Sequence, residues 1–197
     1  MAENAIDEKI NFYKPLKRFL LPINNFHIPK KLFNQFKKGE YKFVINSRFS
    51  DVIDNCSKPR KGDQDTWINQ IIKNTYMALH NESYAKSIEC FYNKKLVGGL
   101  YGIHIGACFF GESMFSKSTN SSKLSLLYLI SILKKYNFIL LDSQFYNPHL
   151  LQFGGYEIID TDYQNILKEG IKKKCKFPDL FDFQNSIETL QSLSHKS

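Results

Sequence analysis

Apolar and polar positions change period several times along the chain, and those changes divide it into elements. Tyr41–Asn46 alternates, the period of a half-buried strand. Before it, Pro29 suits the first turn of a helix running to about Lys38 and closed by Gly39. Ser47 or Ser50 can cap a short helix to Cys56, and 58–63 (Lys-Pro-Arg-Lys-Gly-Asp) reads as a loop. Thr66 is expected to cap a helix carrying Ile68, Ile71, Ile72 and Leu79. Ser87–Tyr92 and Leu96–Ile105 read as strands joined by a hairpin at Asn93-Lys94-Lys95. A short strand Ala107–Phe110 follows, with Gly111–Ser116 leading out of it. Asn120 or Ser121 starts a helix bearing Leu124, Leu127, Tyr128, Ile132 and Leu133. Phe138–Leu141 is a buried strand, Pro148 opens a helix ending at Gly154, and a strand (Tyr156–Ile159) and a helix (Thr161–Lys168) come last.

The order is one strand, two helices, a run of antiparallel strands, then helix and strand in alternation. That predicts an α+β single domain, a mixed sheet flanked by helices of the acetyltransferase-like kind. Residues 1–11 read as a flexible leader, 12–170 as the domain, and 171–197 as a basic C-terminal tail. In the tail, Ile187, Leu190 and Leu193 allow a short amphipathic helix.

Composition narrows the class. With 197 residues, 43% hydrophobic, the chain can bury a core of its own. No run of eighteen apolar residues spans a membrane, and the acidic, polar start is not a secretory signal. The four cysteines are scattered without metal-ligand spacing, so a reduced cytoplasmic setting is expected, with no metal and no cofactor. The net charge of +8 is uneven: Phe12–Lys42 holds eight Lys or Arg against Glu40 alone. Lys172, Lys173, Lys174 and Lys176 form a second cluster. Such patches suit a phosphate-bearing partner, or are simply a solvated face.

The candidate chemistry starts at Asp142-Ser143-Gln144, where the buried run ends. In a strand, residues i and i+2 share a face, which would set Asp142 beside Gln144. A buried carboxylate is costly unless paired, so the pair either caps a turn near Asn147-Pro148 or faces a reaction. Glu112 follows a glycine where a strand is expected to end. Trp67 is the only tryptophan, either a core anchor or a stacking platform.

Three stretches together carry a specific resemblance: Leu96-Val97-Gly98-Gly99-Leu100-Tyr101-Gly102; Phe109-Phe110-Gly111-Glu112-Ser113-Met114-Phe115-Ser116 with Asn120 and Ser122-Lys123; and Leu141-Asp142-Ser143-Gln144 with His149-Leu150. In this order and spacing, from about Phe12 to Leu167, the chain resembles the bacterial leucyl/phenylalanyl-tRNA–protein transferases. Phe26–Pro29, Thr66–Ile68 and Ala85–Glu89 support the match. The resemblance implies transfer of Leu, Phe or Met from aminoacyl-tRNA to the α-amine of proteins beginning with Arg or Lys, marking them for N-degron degradation. It implies Asp142, Gln144 and Glu112 as catalytic residues, with Gln144 holding the attacking amine and Asp142 fixing Gln144 or attracting the cationic N-terminus. Leu100, Phe109, Leu129 and Leu141 would form the apolar pocket for the donor side chain. Trp67 would stack on the terminal adenosine, and Lys30, Lys37 and Lys38 would meet the acceptor stem. A monomer is expected, with no membrane partner.

The chain departs from the family pattern at its start. Only eleven residues precede Phe12–Arg18, so the usual N-terminal subdomain, with its second adenosine-stacking aromatic, is expected to be largely absent, and Phe12 or Tyr13 is the candidate replacement. Two other readings compete. An acyl-CoA-dependent N-acyltransferase would need a Gly-rich pyrophosphate loop, and Ser116–Lys123 has no glycine. A non-catalytic tRNA-binding remnant would not need Asp142, Gln144 and Glu112.

Overall fold

The computed structural model describes Met1 and residues 9–59 and 66–194. Most of the expected leader (2–8) and the part of the expected loop from Arg60 onward lie outside the described residues. Seven strands form one mixed sheet: β1 (Lys17–Leu20), β2 (Tyr41–Ile45), β3 (Ala85–Tyr92), β4 (Lys95–Ile105), β5 (Cys108–Ser116), β6 (Leu140–Asp142) and β7 (Tyr156–Ile159). Their order across the sheet is β2-β3-β4-β5-β6-β1-β7. Neighbours are antiparallel except β5 and β6, which run parallel. The helices are α1 (Lys30–Lys37), α2 (Phe49–Cys56), α3 (Gln70–Asn81), α4 (Ser121–Lys135), α5 (Asp160–Lys172) and α6 (Phe183–Ser194), with a 3-10 helix at Pro148–Phe153. The α+β class with a mixed sheet flanked by helices is what the pattern of elements predicts.

Each face of the sheet carries its own layer. The larger core packs Leu32, Phe33 and Phe36 of α1, most of α4, and Leu190 and Leu193 of α6 on Ile88, Leu100, Phe109 and Leu141. The opposite face packs Phe49, Val52 and Ile53 of α2 and Ile72 of α3 on Ala85, Tyr101 and Phe115. Helix α4 is buried along almost its whole length, including Leu124, Leu127, Ile130 and Leu133 at 0% exposure. Burying each such side chain stabilises the fold by about 1.5–3 kcal/mol relative to leaving it in water. The tail does not stand apart from the domain, because Phe177, Leu190 and Leu193 enter the main core.

Several boundaries differ from the sequence reading, each for a local reason. Helix α3 starts at Gln70, because Asn69, not Thr66, accepts the Ile72 N–H at 2.8 Å. The Thr66 hydroxyl instead accepts from Ile68 N at 3.3 Å. The strand expected to stop at Phe110 continues as β5 to Ser116, since Gly111 and Ser113–Ser116 stay paired with β4. Strand β1, inside the polar, basic stretch, is not predicted by the alternation at all. It lies between β6 and β7 and closes that side of the sheet. Glu89 is fully buried yet satisfied, accepting from Ser87 Oγ and from Ser47 N at the start of α2.

Candidate active site

The sheet opens where β5 and β6 part. They pair only at Cys108–Leu140, Phe109–Leu141 and Phe110–Asp142; β6 then ends while β5 runs on. Beyond the last pair, Gln144 adopts φ +69, the left-handed region that non-glycine residues rarely visit. Two neighbours hold it there. Asp142 Oδ1 accepts the Gln144 N–H at 2.7 Å, and the Phe19 N–H of β1 donates to the Gln144 carbonyl at 3.2 Å. Ser143 N and Oγ both donate to the Phe19 carbonyl, at 2.9 and 3.0 Å. The unpredicted strand β1 thus carries the frame on which the Asp-x-Gln segment sits.

Asp142 and Gln144 are not the simple same-face pair that strand alternation suggests. Asp142 is at 0% exposure and is the back of the site. Its Oδ2 accepts from the Tyr163 hydroxyl of α5 at 2.8 Å and lies 3.4 Å from Arg18 of β1. The Arg18 guanidinium in turn covers the Tyr163 ring at 4.7 Å. Burial pushes the Asp142 carboxyl above its ordinary range, and Tyr163, Arg18 and the Gln144 N–H pull the other way. Burial likewise drives the Tyr163 hydroxyl up, and the Asp142 charge adds to it, so Tyr163 stays the donor.

Glu112 enters from the other side of the gap. Tyr101 pairs with Ser113 and Gly102 with Gly111, so Glu112 is the extra residue of a β-bulge. A bulge re-aims a side chain, and this one turns Glu112 inward instead of leaving it at a strand exit. Its carboxylate accepts hydrogen bonds from the Tyr76 hydroxyl of α3 and from the Gln144 side chain. Burial raises the Glu112 carboxyl above its ordinary value, with those two bonds opposing the rise. The Gln144 Nε2 also donates to the Gly111 carbonyl at 3.3 Å. Donation by Nε2 leaves Oε1 as the acceptor end of the Gln144 amide.

A cavity of about 490 Å³ lies in front of these groups, bordered by Gln144, Glu112, Tyr76 and Trp67, with Phe12 and Tyr13 at its mouth. Asp142, at 0% exposure, does not border it. A second cavity, about 440 Å³, opens where β5 leads into α4. Its apolar wall includes Met114, Leu126, Leu150 and Phe153, and Lys117, Lys123 and His149 rim it. The four apolar residues singled out in the sequence sit elsewhere. Leu100, Phe109, Leu129 and Leu141 meet in the main core at 5% exposure or less, behind these walls. Lys30, Lys37 and Lys38 are exposed along and just past α1, with the Lys37 ammonium over the Phe33 ring at 4.8 Å. The Asn120 side chain donates to Gln35 Oε1 at 2.9 Å, tying α1 to the start of α4.

Sequence reasoning brought Gln144, Glu112 and Trp67 to one cavity and missed Arg18, Tyr76 and Tyr163. Arg18 was visible only as one charge in a basic stretch. Nothing in the sequence marks Tyr76 or Tyr163, because their partners lie 36 and 21 residues away. Among the described residues no group of three or more His, Cys, Asp or Glu is placed to hold a metal ion, and no helix is long and apolar enough to cross a membrane.

Comparison with known proteins bears on the same residues. A family model described as leucyl/phenylalanyl-tRNA protein transferase matches residues 20–168. The chain is 41% identical over 177 residues to the leucyl/phenylalanyl-tRNA–protein transferase of Hyphomonas neptunium, covering 90% of this chain and 69% of that one. It is 38% identical over 193 residues to the Gluconobacter oxydans protein of the same name, covering 98% and 86%. With the Caulobacter vibrioides protein of that name it shares 39% over 197 residues, covering 100% and 91%.

Proposed function

The chain belongs to the leucyl/phenylalanyl-tRNA protein transferase family, and on that premise we propose how its residues carry the reaction. It is an aminoacyltransferase, moving an aminoacyl group from tRNA to a protein. The donors we assign are Leu- and Phe-tRNA, with Met-tRNA a third. The acceptor is the α-amine of a protein beginning with Arg or Lys, and the product feeds N-degron degradation. The enzyme works as a cytoplasmic monomer, with residues 12–170 forming the catalytic domain.

In this reading the acceptor α-amine, with a pKa of about 8, is partly neutral near pH 7 and needs no strong base. It attacks the ester carbonyl of the donor. The new C–N bond forms, the bond to the ribose oxygen breaks, and one proton of the amine passes to that oxygen, which leaves as the hydroxyl. The protein's task is then orientation and charge placement. Gln144 Oε1 accepts a hydrogen bond from the amine and aims its lone pair. Glu112 attracts the cationic acceptor terminus. Asp142 acts through the Gln144 backbone and is a positioning residue.

Trp67, with Phe12 or Tyr13 opposite it in the same cavity, stacks the terminal adenosine. The Met114–Leu126 wall takes the apolar donor side chain, which carries no branch at Cβ, with Leu100, Phe109, Leu129 and Leu141 packed behind it. Lys30, Lys37 and Lys38 meet the phosphates of the acceptor stem.

The observation that carries this reading is the meeting of Gln144, Glu112, Tyr76 and Trp67 around one cavity, with the Gln144 amide held by Gly111 and Glu112. The test is transfer of radiolabelled Leu and Phe from charged tRNA to an Arg-initiated peptide, with wild type and Gln144→Ala in parallel. Transfer by wild type that collapses in the variant is expected. Folded wild-type protein that binds tRNA and transfers nothing overturns the reading.

A further inference from the structure

A third cavity lies away from the transferase site, on the face of the sheet that carries α4 and α6. It measures about 760 Å³ and sits under the segment that follows α5. Lys86 of β3 and His104 of β4 border it from the sheet. Register places them together: Lys86 pairs with Gly102, so His104, two residues on, is its diagonal neighbour on the same face. Above them run Lys172, Lys173, Lys174 and Lys176, all exposed at the rim.

The rim is fixed by its packing. Phe177 is 3% exposed and packs on Phe109 at 5.6 Å, His104 at 5.9 Å and Phe138 at 6.1 Å. Cys175 Sγ donates to the Tyr136 carbonyl at 2.9 Å, and Lys173 Nζ to the Asn137 carbonyl at 3.1 Å. The basic segment is therefore held over the cavity by its own anchors.

The charges do not balance. Lys86 is 8% exposed; burial lowers the pKa of its ammonium, and the charge of Asp179 opposes that shift. Taking an ammonium out of water is costly unless an anion faces it, and the anion here is a single exposed carboxylate. The acid bordering the cavity is Asp179, 80% exposed at its side chain and 3.9 Å from Lys176. His104 Nε2 donates to the Gly106 carbonyl at 2.8 Å, and burial lowers its pKa, with Lys86 adding to that effect. Five lysines thus converge on a cavity with one exposed carboxylate. Nothing in the transfer reaction uses them.

We propose that this cavity is a phosphate-binding site, with Lys86 at its floor and Lys172, Lys174 and Lys176 at its rim, taking a ligand that carries several phosphates. Lysine serves such a ligand as a point charge. Two sources share that chemistry: the ribose-phosphate backbone of tRNA beyond the acceptor end, and a free polyphosphate such as a nucleotide. The first rests on the transferase reading, and the site itself does not.

The experiment uses the full chain with two variants, Lys86→Met and the combined Lys172→Ala/Lys174→Ala/Lys176→Ala. The second changes only exposed side chains, so it tests the site even where the first fails to fold. Binding of uncharged tRNA is measured against salt concentration, and binding of inorganic tripolyphosphate by calorimetry. If the source is tRNA, the triple variant shortens the slope of log K against log salt by about 0.9 per lysine in contact, and affinity near 0.1 M salt falls roughly tenfold for each such lysine. Transfer from a minimal aminoacyl-adenosine donor, which lacks the backbone, stays at the wild-type rate. If the source is a free polyphosphate, tripolyphosphate binds wild type, both variants lose it, and the tRNA slope is unmoved. Wild-type behaviour of the triple variant towards both ligands overturns the site. Because tRNA and tripolyphosphate binding decide the site, an inactive enzyme would overturn the transferase reading and leave this test standing.

Discussion

Asp142 holds Gln144 by its backbone: Oδ1 takes the Gln144 N–H at 2.7 Å and locks a left-handed φ of +69. The same carboxylate is held from behind by Arg18 and Tyr163. Removing it strands a partly buried guanidinium and releases the Gln144 backbone together. Asp142→Ala is expected to cost about 3–5 kcal/mol of stability, the range for breaking one side of a buried pair. Asp142→Asn keeps an acceptor for the Gln144 N–H but loses the charge and sets an NH2 group against the Tyr163 hydroxyl and Arg18. It should be more stable than Asp142→Ala and retain measurable transfer. Urea midpoints of both variants, with transfer rates, check this; equal midpoints would contradict the backbone role.

The strain at Gln144 separates fold from function. Gln144→Ala and Gln144→Gly remove the same hydrogen bonds to Gly111 and Glu112. Only the glycine relieves the positive φ, a conformation that costs an L-residue about 1 kcal/mol or more. Gln144→Gly should therefore be more stable than Gln144→Ala by about 1 kcal/mol, while both lose transfer by on the order of a hundredfold. Thermal melts and single-turnover rates on the two proteins decide it.

Gly98 tests the join between the sheet and α4. A Cβ there would lie 2.5 Å from both Cβ and Oγ of Ser121, and 2.8 Å from its carbonyl carbon. Ser121 cannot step aside freely, because its Oγ donates to the Val97 carbonyl at 2.7 Å and it opens a helix that is almost wholly buried. Gly98→Ala is expected to destabilise by about 1–3 kcal/mol, the usual cost of overpacking. A chemical denaturation curve at wild-type stability would refute the clash.

Trp67 is half-buried at the edge of the larger site cavity, so stacking and packing make different demands on it. If it stacks on adenine, Trp67→Ala raises KM for charged tRNA by the equivalent of about 1–3 kcal/mol and spares kcat, and Trp67→Phe restores most of the affinity. A purely packing role predicts lower stability with unchanged KM.

What was legible in the sequence follows the range of the forces involved. The β3–β4 hairpin and helix α4 announce themselves through local period and turn chemistry; Asn93 and Lys94 both take the positive φ that a tight hairpin needs. Strand β1 was invisible because Lys17–Leu20 shows no alternation, its outer half being exposed and its inner half buried. Yet β1 supplies Arg18 and the Phe19 backbone that pins Ser143 and Gln144. The inward aim of Glu112 depends on a bulge, which is a property of the β4–β5 register and not of the Gly-Glu-Ser string. Gln144, Glu112 and Trp67 could be found because the family motif names them, whereas Tyr76, Tyr163 and Arg18 reach the site only through tertiary packing. The burial of Leu100, Phe109, Leu129 and Leu141 was legible for a related reason, but hydrophobic character marks a residue as buried without saying whether a cavity or another side chain lies in front of it.

Glu112 gives the site a pH dependence whose direction can be worked out. Burial raises its carboxyl above 4.5, so the folded protein holds this proton more tightly than the unfolded chain. Its contribution to stability is present below pH 4.5 and is lost as pH rises through the folded-state value. Activity runs the opposite way, because attraction of a cationic acceptor needs the carboxylate, so kcat/KM rises across the same interval. The Tyr76 hydroxyl donates to that carboxylate and restrains the rise in pKa. Tyr76→Phe removes the donor and leaves the ring. Its acid limb should therefore move to higher pH, with stability at neutral pH lower by about 1 kcal/mol for the lost bond. Profiles of kcat/KM against pH for the two proteins test this. A limb that stays in place, or moves to lower pH, would show that the group titrating in the profile is not the Glu112 carboxylate.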